Sequence, residues 1–307
     1  MGFRVLASDP LDPKAVAAMR EAGLEVDEKT DLTPEQLVTE IAVYDAIVIR
    51  SATKVRANII DAGANLKLVV RAGVGLDNVD VDYAVSKGLS VRNTPAASSN
   101  SVAELAIGHM FSLARHISRA TASTKAGAWE KKQLKGIEIA GKTLGIVGIG
   151  RIGQSLAKKA AALGMNVLCS DAYLTQSPIA DIAAMVPLDE LLEKSDFISL
   201  HIPFDPNVGP SISTAQFAIM KDGAYLVNCA RGGVIDEGAL VEALKSGKVA
   251  GVALDVFETE PPAADHPLFA FDNVSLTPHI GAATDEAQAR VGGEAADIVI
   301  EFARSSS

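Results

Sequence analysis

The chain reads as an α/β protein of two domains, one inserted into the other. Three observations carry this. Short apolar runs alternate with amphipathic stretches along the 307 residues, the pattern of parallel strands covered by helices. A glycine-rich strand-to-helix turn, Gly148-Ile149-Gly150-Arg151-Ile152-Gly153, stands in mid-chain rather than near the start. After the last strand a single further helix remains, which would return to the first domain.

Taken in order, strands are expected at 3–7, 46–49, 67–70 and 89–91, with helices at 14–21 and around 58–62. A long helix rich in Ala, Leu and Ile is expected over 101–126, too apolar to lie loose on a surface. The units restart with a strand at 143–147, a helix at 154–163 and a strand at 166–169. Strands at 197–200, 225–228, 250–254 and 274–276 continue the second sheet, with helices near 214–220 and 237–245 between them. The last helix covers 285–303 and leads to a Ser tail.

Composition narrows the function. Hydrophobic residues make up 48% and charged residues 21%, an ordinary globular balance. A net charge of -10 argues against nucleic acid, since phosphate binding needs a basic surface. Cys169 and Cys229, the only cysteines, end apolar runs and suggest no disulfide framework. The first ten residues read as a strand rather than a signal peptide, and no apolar stretch approaches the roughly 20 residues of a membrane helix. A cytosolic protein without a metal site is expected.

The glycine turn follows the 143–147 strand and opens a helix, and Asp171 ends the next strand 23 residues after Gly148. In that context glycines bring a pyrophosphate against the backbone at a helix N-terminus, and the acid binds the ribose hydroxyls. Asp171 favours NAD, because a 2'-phosphate beside a carboxylate suffers like-charge repulsion. The expected Rossmann-type NAD-binding domain spans 99–284, and the substrate domain spans 1–98 with 285–307.

Three more strand ends supply chemistry. Arg231, before Gly232-Gly233, can grip a carboxylate with its planar guanidinium. His279 follows a strand and suits proton transfer near neutrality, with Glu260 as the partner that fixes its tautomer. Asp255 either contacts the nicotinamide side or caps a strand end. His201 reads as a loop-shaping residue, and Trp129 as a core anchor or a contact with a partner subunit. In the first domain Arg50-Ser51-Ala52-Thr53-Lys54 and Arg71-Ala72-Gly73-Val74-Gly75 each follow a strand. Their basic side chains can hold a second anion, and the amides at Gly73, Val74 and Gly75 can hold a carboxylate.

These segments, together with Leu76-Asp77-Asn78-Val79-Asp80 and the run from Asn228 to Asp236, resemble the D-isomer-specific 2-hydroxyacid dehydrogenases over nearly the whole chain. The resemblance implies a flavodoxin-like substrate domain and a homodimer with the helix after Pro95 in its interface. It assigns Arg231 to substrate binding, Glu260 to supporting the histidine and His279 to proton transfer. It places the cofactor against Gly148, Gly150, Arg151, Ile152, Gly153, Asp171, Ile202, Cys229, Ala230, Arg231, Asp255, His279, Gly281 and Ala282, with Val74 near the nicotinamide. Substrate contacts would be Arg50, Ser51, Arg71, Gly73, Val74, Gly75, Arg231 and His279. Ser98, where the family has Asn, and the loop around Val208, where it has Thr, depart from the pattern and bear on fine substrate preference.

The resemblance implies, as the expected activity, NAD-dependent oxidation of 3-phosphoglycerate to 3-phosphohydroxypyruvate, the entry step to serine, with Arg50 and Arg71 as the expected phosphate contacts. A glyoxylate or hydroxypyruvate reductase of the same fold is the alternative, since it does not need Arg50 and Arg71. A nucleotide-sensing corepressor is a more distant one. A short form without a C-terminal regulatory domain, insensitive to serine, is also expected.

Overall fold

A computed structural model describes residues 2–306. The chain forms two compact units, Met1–Ser99 with Ala282–Ser307, and Asn100–Gly281.

In the first unit β1 (Arg4–Ala7), α1 (Pro13–Glu21), β2 (Glu25–Glu28), α2 (Pro34–Glu40), β3 (Ala46–Ile49), α3 (Ala57–Ala62), β4 (Leu68–Arg71), α4 (Val81–Ser86) and β5 (Ser90–Asn93) follow one another. The strands make one parallel sheet in the order β2-β1-β3-β4-β5, the flavodoxin-like arrangement. Both sheet faces are covered, so the central strands are apolar throughout, and alternate residues serve opposite cores. Val5, Val48 and Val70 pack with α1 and with Val291, Ala295 and Val299 of the last helix, Asp285–Ser305. Leu6, Ile47 and Val69 pack with Leu37, Ile41, Tyr44 and Ile59 on the other side.

β2, α2 and α4 were not among the expected elements. β2 (Glu-Val-Asp-Glu) is an edge strand with one buried side chain, so it lacks an apolar run. α2 does carry a signal, a capping box between Thr33 and Gln36 with Pro34 in the first turn. α4 spans only six residues.

The second unit holds α5 (Ser99–Arg115), α6 (Ile117–Lys125), β6 (Thr143–Val147), α7 (Arg151–Ala162), β7 (Asn166–Ser170), β8 (Ala183–Met185), α8 (Leu188–Lys194), β9 (Phe197–Leu200), α9 (Thr214–Ile219), β10 (Ala224–Asn228), α10 (Glu237–Lys245), β11 (Val249–Leu254) and β12 (Val274–Leu276). Its parallel sheet runs β12-β11-β10-β9-β6-β7-β8, a Rossmann-type order with one added strand. The strand order reverses between β6 and β9, so the crevice at their carboxyl ends is where such a fold binds ligands.

Two expectations are corrected here. The single helix expected over 101–126 is two helices, because His116 takes the left-handed conformation (φ 55°) and breaks the hydrogen-bond ladder. Lys135 O lies 3.2 Å from His116 Nε2, and Ile137 N donates to Ala114 O at 2.9 Å, so another segment takes over the freed groups. Trp129 is 84% exposed and therefore no core anchor. No helix among the described residues is long and apolar enough to cross a membrane.

Candidate active site

The three glycines after β6 do three different jobs. Gly148 has φ 94°, and a Cβ there would stand 2.5 Å from His201 O. A Cβ on Gly153 would stand 2.2 Å from Gly148 O and 3.2 Å from Ile146 Cγ2, so this residue lets α7 press against β6. Gly150, the N-cap of α7, has no side-chain cap, and no heavy atom lies within 4 Å of where its Cβ would be. The result is an open cradle over a helix N-terminus, where backbone N–H groups and the helix dipole favour an anion such as a pyrophosphate.

Asp171 stands at the end of β7 beside this turn. Its Oδ2 accepts from Ile149 N at 3.0 Å, and its Oδ1 accepts from Tyr173 N at 2.9 Å and Leu174 N at 3.2 Å. The carboxylate is thus fixed by backbone rather than left to roam. Asp171→Ala is expected to weaken NAD binding and to narrow the preference over NADP. Titration of both cofactors into wild type and variant checks this, and a wild type that takes NADP as readily as NAD contradicts it.

The turn after β10 is braced by Asn228, which is buried. Asn228 Oδ1 accepts from Ala230 N at 3.0 Å, and its Nδ2 donates to Arg231 O at 2.9 Å. Arg231 Nη1 donates back to Ala230 O at 2.6 Å, which sets the direction of the guanidinium. A Cβ on Gly232 would lie 1.7 Å from Phe257 O, so only glycine lets this turn meet the segment after β11. Burial, with the Asp255 carboxylate nearby, pushes the Cys229 thiol far up, so it stays a neutral thiol. Burial pulls His201 down to about 4. That ring is neutral, its Nε2 is 2.9 Å from Ser199 Oγ, and it shapes the loop rather than carrying protons.

His279 lies on a turn that Asp255 organises. Asp255 is completely buried. Its Oδ1 accepts from Thr277 Oγ1 at 2.6 Å and from Ile280 N at 2.8 Å, and its Oδ2 accepts from Gly281 N at 2.8 Å. Between these bonds His279 is held at φ 54°, a conformation that L residues keep only when their surroundings enforce it. Of the two readings of Asp255, the strand-end cap is directly visible. His279 Nδ1 meets Glu260 Oε2 at 2.7 Å, and Glu260 Oε1 accepts from Phe257 N at 3.1 Å. The histidine side chain is 51% exposed, so the pair adds little stability. Its value is orientation: a carboxylate on Nδ1 favours the hydrogen there and leaves Nε2 with its lone pair outward.

A clasp not foreseen from the sequence steadies the segment that carries Glu260. Glu258 N donates to Glu237 Oε1 at 2.9 Å, and Glu237 N donates to Glu258 Oε1 at 3.1 Å. His266 Nε2 lies 2.9 Å from Glu237 Oε2. The only advance signal is a Glu at the start of α10, where an acid suits the helix dipole.

In the first unit the Arg50–Thr53 turn after β3 is held by buried Asp9. Asp9 accepts from the Arg50 and Thr53 amides and from Thr53 Oγ1. Asn78 Nδ2 donates to Arg50 O at 2.7 Å and to Thr53 O at 2.6 Å. Gly73 serves Arg71: a Cβ at that glycine would stand 1.7 Å from Arg71 Nη1. The Val74 carbonyl accepts from Asn93 Nδ2.

A glycine cradle at a sheet switch point, a fixed acid beside it and a carboxylate-bound histidine are the arrangement a nucleotide-dependent dehydrogenase would use. Residues 107–281 match the family model of the D-isomer specific 2-hydroxyacid dehydrogenase NAD binding domain. The chain is 46% identical over 303 residues to a D-3-phosphoglycerate dehydrogenase of Archaeoglobus fulgidus, covering 98% of this chain and 58% of that protein. It is 52% identical over 296 residues to a hydroxypyruvate reductase of Thermotoga maritima, covering 95% of each. Among solved structures, a D-lactate dehydrogenase of Aquifex aeolicus complexed with NAD and lactic acid matches with a TM-score of 0.83 at 31% identity, over 98% of this chain and 96% of that one. The chain therefore belongs to the D-isomer specific 2-hydroxyacid dehydrogenase family, and its cofactor is NAD. It spans little more than half the length of several curated relatives it matches.

Proposed function

We propose that this protein oxidises 3-phosphoglycerate to 3-phosphohydroxypyruvate. The observation that carries the proposal is the His279–Glu260 pair, 2.7 Å apart on a turn pinned by Asp255. Bound NAD supplies the acceptor for the hydride that leaves C2. His279 Nε2 takes the proton of the C2 hydroxyl, leaving the ketone, and Glu260 stabilises the imidazolium so formed. Arg231 holds the substrate carboxylate. Ser51 flanks the substrate. Gly148–Gly153, Asp171, Ile202, Cys229–Arg231, Gly281 and Ala282 line the cofactor.

Arg50 and Arg71 take the phosphate in this reading. The relatives named D-3-phosphoglycerate dehydrogenase, at 46% and 49% identity, support it. A second reading, reduction of hydroxypyruvate, is favoured by the 52% identical relative of that name, which matches over almost its full length.

Arg50→Ala separates the two. A charge-assisted contact is worth about 1.5–3 kcal/mol, so KM for 3-phosphoglycerate is expected to rise about tenfold or more. Activity on an unphosphorylated 2-hydroxy acid should change far less. Equal losses on both substrates would give Arg50 a structural role and remove the phosphate assignment.

A further inference from the structure

His109 lies on α5 and is 3% exposed, surrounded along its helix by the buried apolar residues Ala106, Met110 and Leu113. Apolar packing alone gives no reason for a histidine there. Both ring nitrogens face hydroxyls: Nδ1 is 3.0 Å from Ser275 Oγ and Nε2 is 3.0 Å from Thr277 Oγ1. Ser275 Oγ donates to Ser112 Oγ at 3.0 Å, and Ser112 Oγ lies 2.8 Å from Ser118 Oγ. A line of polar side chains thus runs from α6 through α5 and β12 to Asp255.

The direction of the line follows from proton count. Thr277 Oγ1 donates to Asp255, which also accepts from two backbone N–H groups. The Thr277 oxygen is then left as an acceptor, and His109 Nε2 must carry the hydrogen it receives. Burial lowers the His109 pKa, against the pull of the Asp255 charge. Nδ1 lies 3.0 Å from Ser275 Oγ, whose own hydrogen goes to Ser112 Oγ. One orientation of the imidazole fixes the Thr277 hydroxyl, and that hydroxyl fixes Asp255 Oδ1.

We propose that His109 is a positioning residue for the proton carrier: through Thr277 it orients the Asp255 carboxylate, which holds the Ile280 and Gly281 amides and so sets the turn bearing His279. The functional part of this rests on the reading of His279 as the proton carrier. No atom of His109 reaches the reacting centre in this scheme. Its role is to make a strained turn the single stable one.

Four variants test it: His109→Leu, His109→Gln, His109→Asn and Thr277→Val. Two readouts are taken, amide hydrogen exchange of the 277–281 segment and kcat on whichever of 3-phosphoglycerate and hydroxypyruvate the enzyme turns over. NADH affinity and melting temperature are recorded beside them. His109→Leu and Thr277→Val should each speed exchange at Ile280 and Gly281 about tenfold and lower kcat about tenfold, with NADH affinity within about twofold, the scale of one hydrogen bond to a charged group. Glutamine, whose terminal amide reaches the Nε2 position, should restore most of both. Asparagine reaches only the Nδ1 side and should not, at similar melting temperature. Wild-type exchange in Thr277→Val, or equal behaviour of the Gln and Asn variants, overturns the proposal. The exchange readout stands apart from the chemistry. If His279→Asn kept full turnover, the proton-carrier reading would fall while exchange still decided the relay. If His279→Asn were inactive and His109→Leu exchanged and turned over like wild type, the relay alone would fall.

Discussion

The His279→Asn variant is expected to lose roughly 10²- to 10⁴-fold in kcat, the usual range for removing a general acid-base group, with NADH affinity unchanged. Asparagine is chosen for a structural reason. It tolerates the left-handed conformation that His279 holds at φ 54°, so the turn survives the change. The cradle for the dinucleotide, at Gly148–Gly153 and Asp171, lies on β6, α7 and β7 and does not use the imidazole. What disappears is the imidazole proposed as the proton carrier, with its bond to Glu260. Steady-state kinetics with a parallel fluorescence titration of NADH separates the two terms, and turnover near the wild-type level would reject the role. Glu260→Gln should fall between the two enzymes, because an amide no longer enforces the tautomer with hydrogen on Nδ1.

The second large effect concerns Arg231. Its guanidinium is aimed by the bond to Ala230 O and by the Asn228 brace beneath the turn. Arg231→Ala should lower kcat/KM on the order of 10²-fold or more, since two charge-assisted contacts to the substrate carboxylate vanish together. Arg231→Lys should recover only part of the loss, because an ammonium supplies charge without the planar fork. A change within twofold for Arg231→Ala would mean that the arginine serves the turn and not the substrate.

The glycine turn and the His279–Glu260 pairing were legible before any geometry. The spacing of Gly148, Gly150 and Gly153 after an apolar strand, with Asp171 one strand later, has few physical explanations other than a dinucleotide turn. Arg231, Glu260 and His279 could be grouped because each follows a parallel strand, and such strand ends converge. The supports were not legible. Asp255 bonds residues 22 to 26 positions away, and His109 acts across more than 160. Nothing local in sequence announces such pairings. The Glu237–His266 clasp escaped for the same reason, as did the Asp9 and Asn78 brace under Arg50. Among the elements, β2 and β8 were missed because short strands at a sheet edge carry too few apolar residues to make a pattern. The break at His116 was invisible because the flanking residues keep helical character on both sides.

Hydride transfer on a phosphorylated 2-hydroxy acid, as proposed above, predicts a substrate preference that kinetics can read. The most direct test is kcat/KM measured by NADH absorbance for one panel: 3-phosphoglycerate against D-glycerate with NAD, and 3-phosphohydroxypyruvate against hydroxypyruvate and glyoxylate with NADH. The expected result is a preference of tenfold or more for the phosphorylated member of each comparison, about what one lost charge-assisted contact would remove. Hydroxypyruvate or glyoxylate turned over better than the phosphorylated acid would contradict the account and make this protein a reductase of unphosphorylated 2-oxo acids.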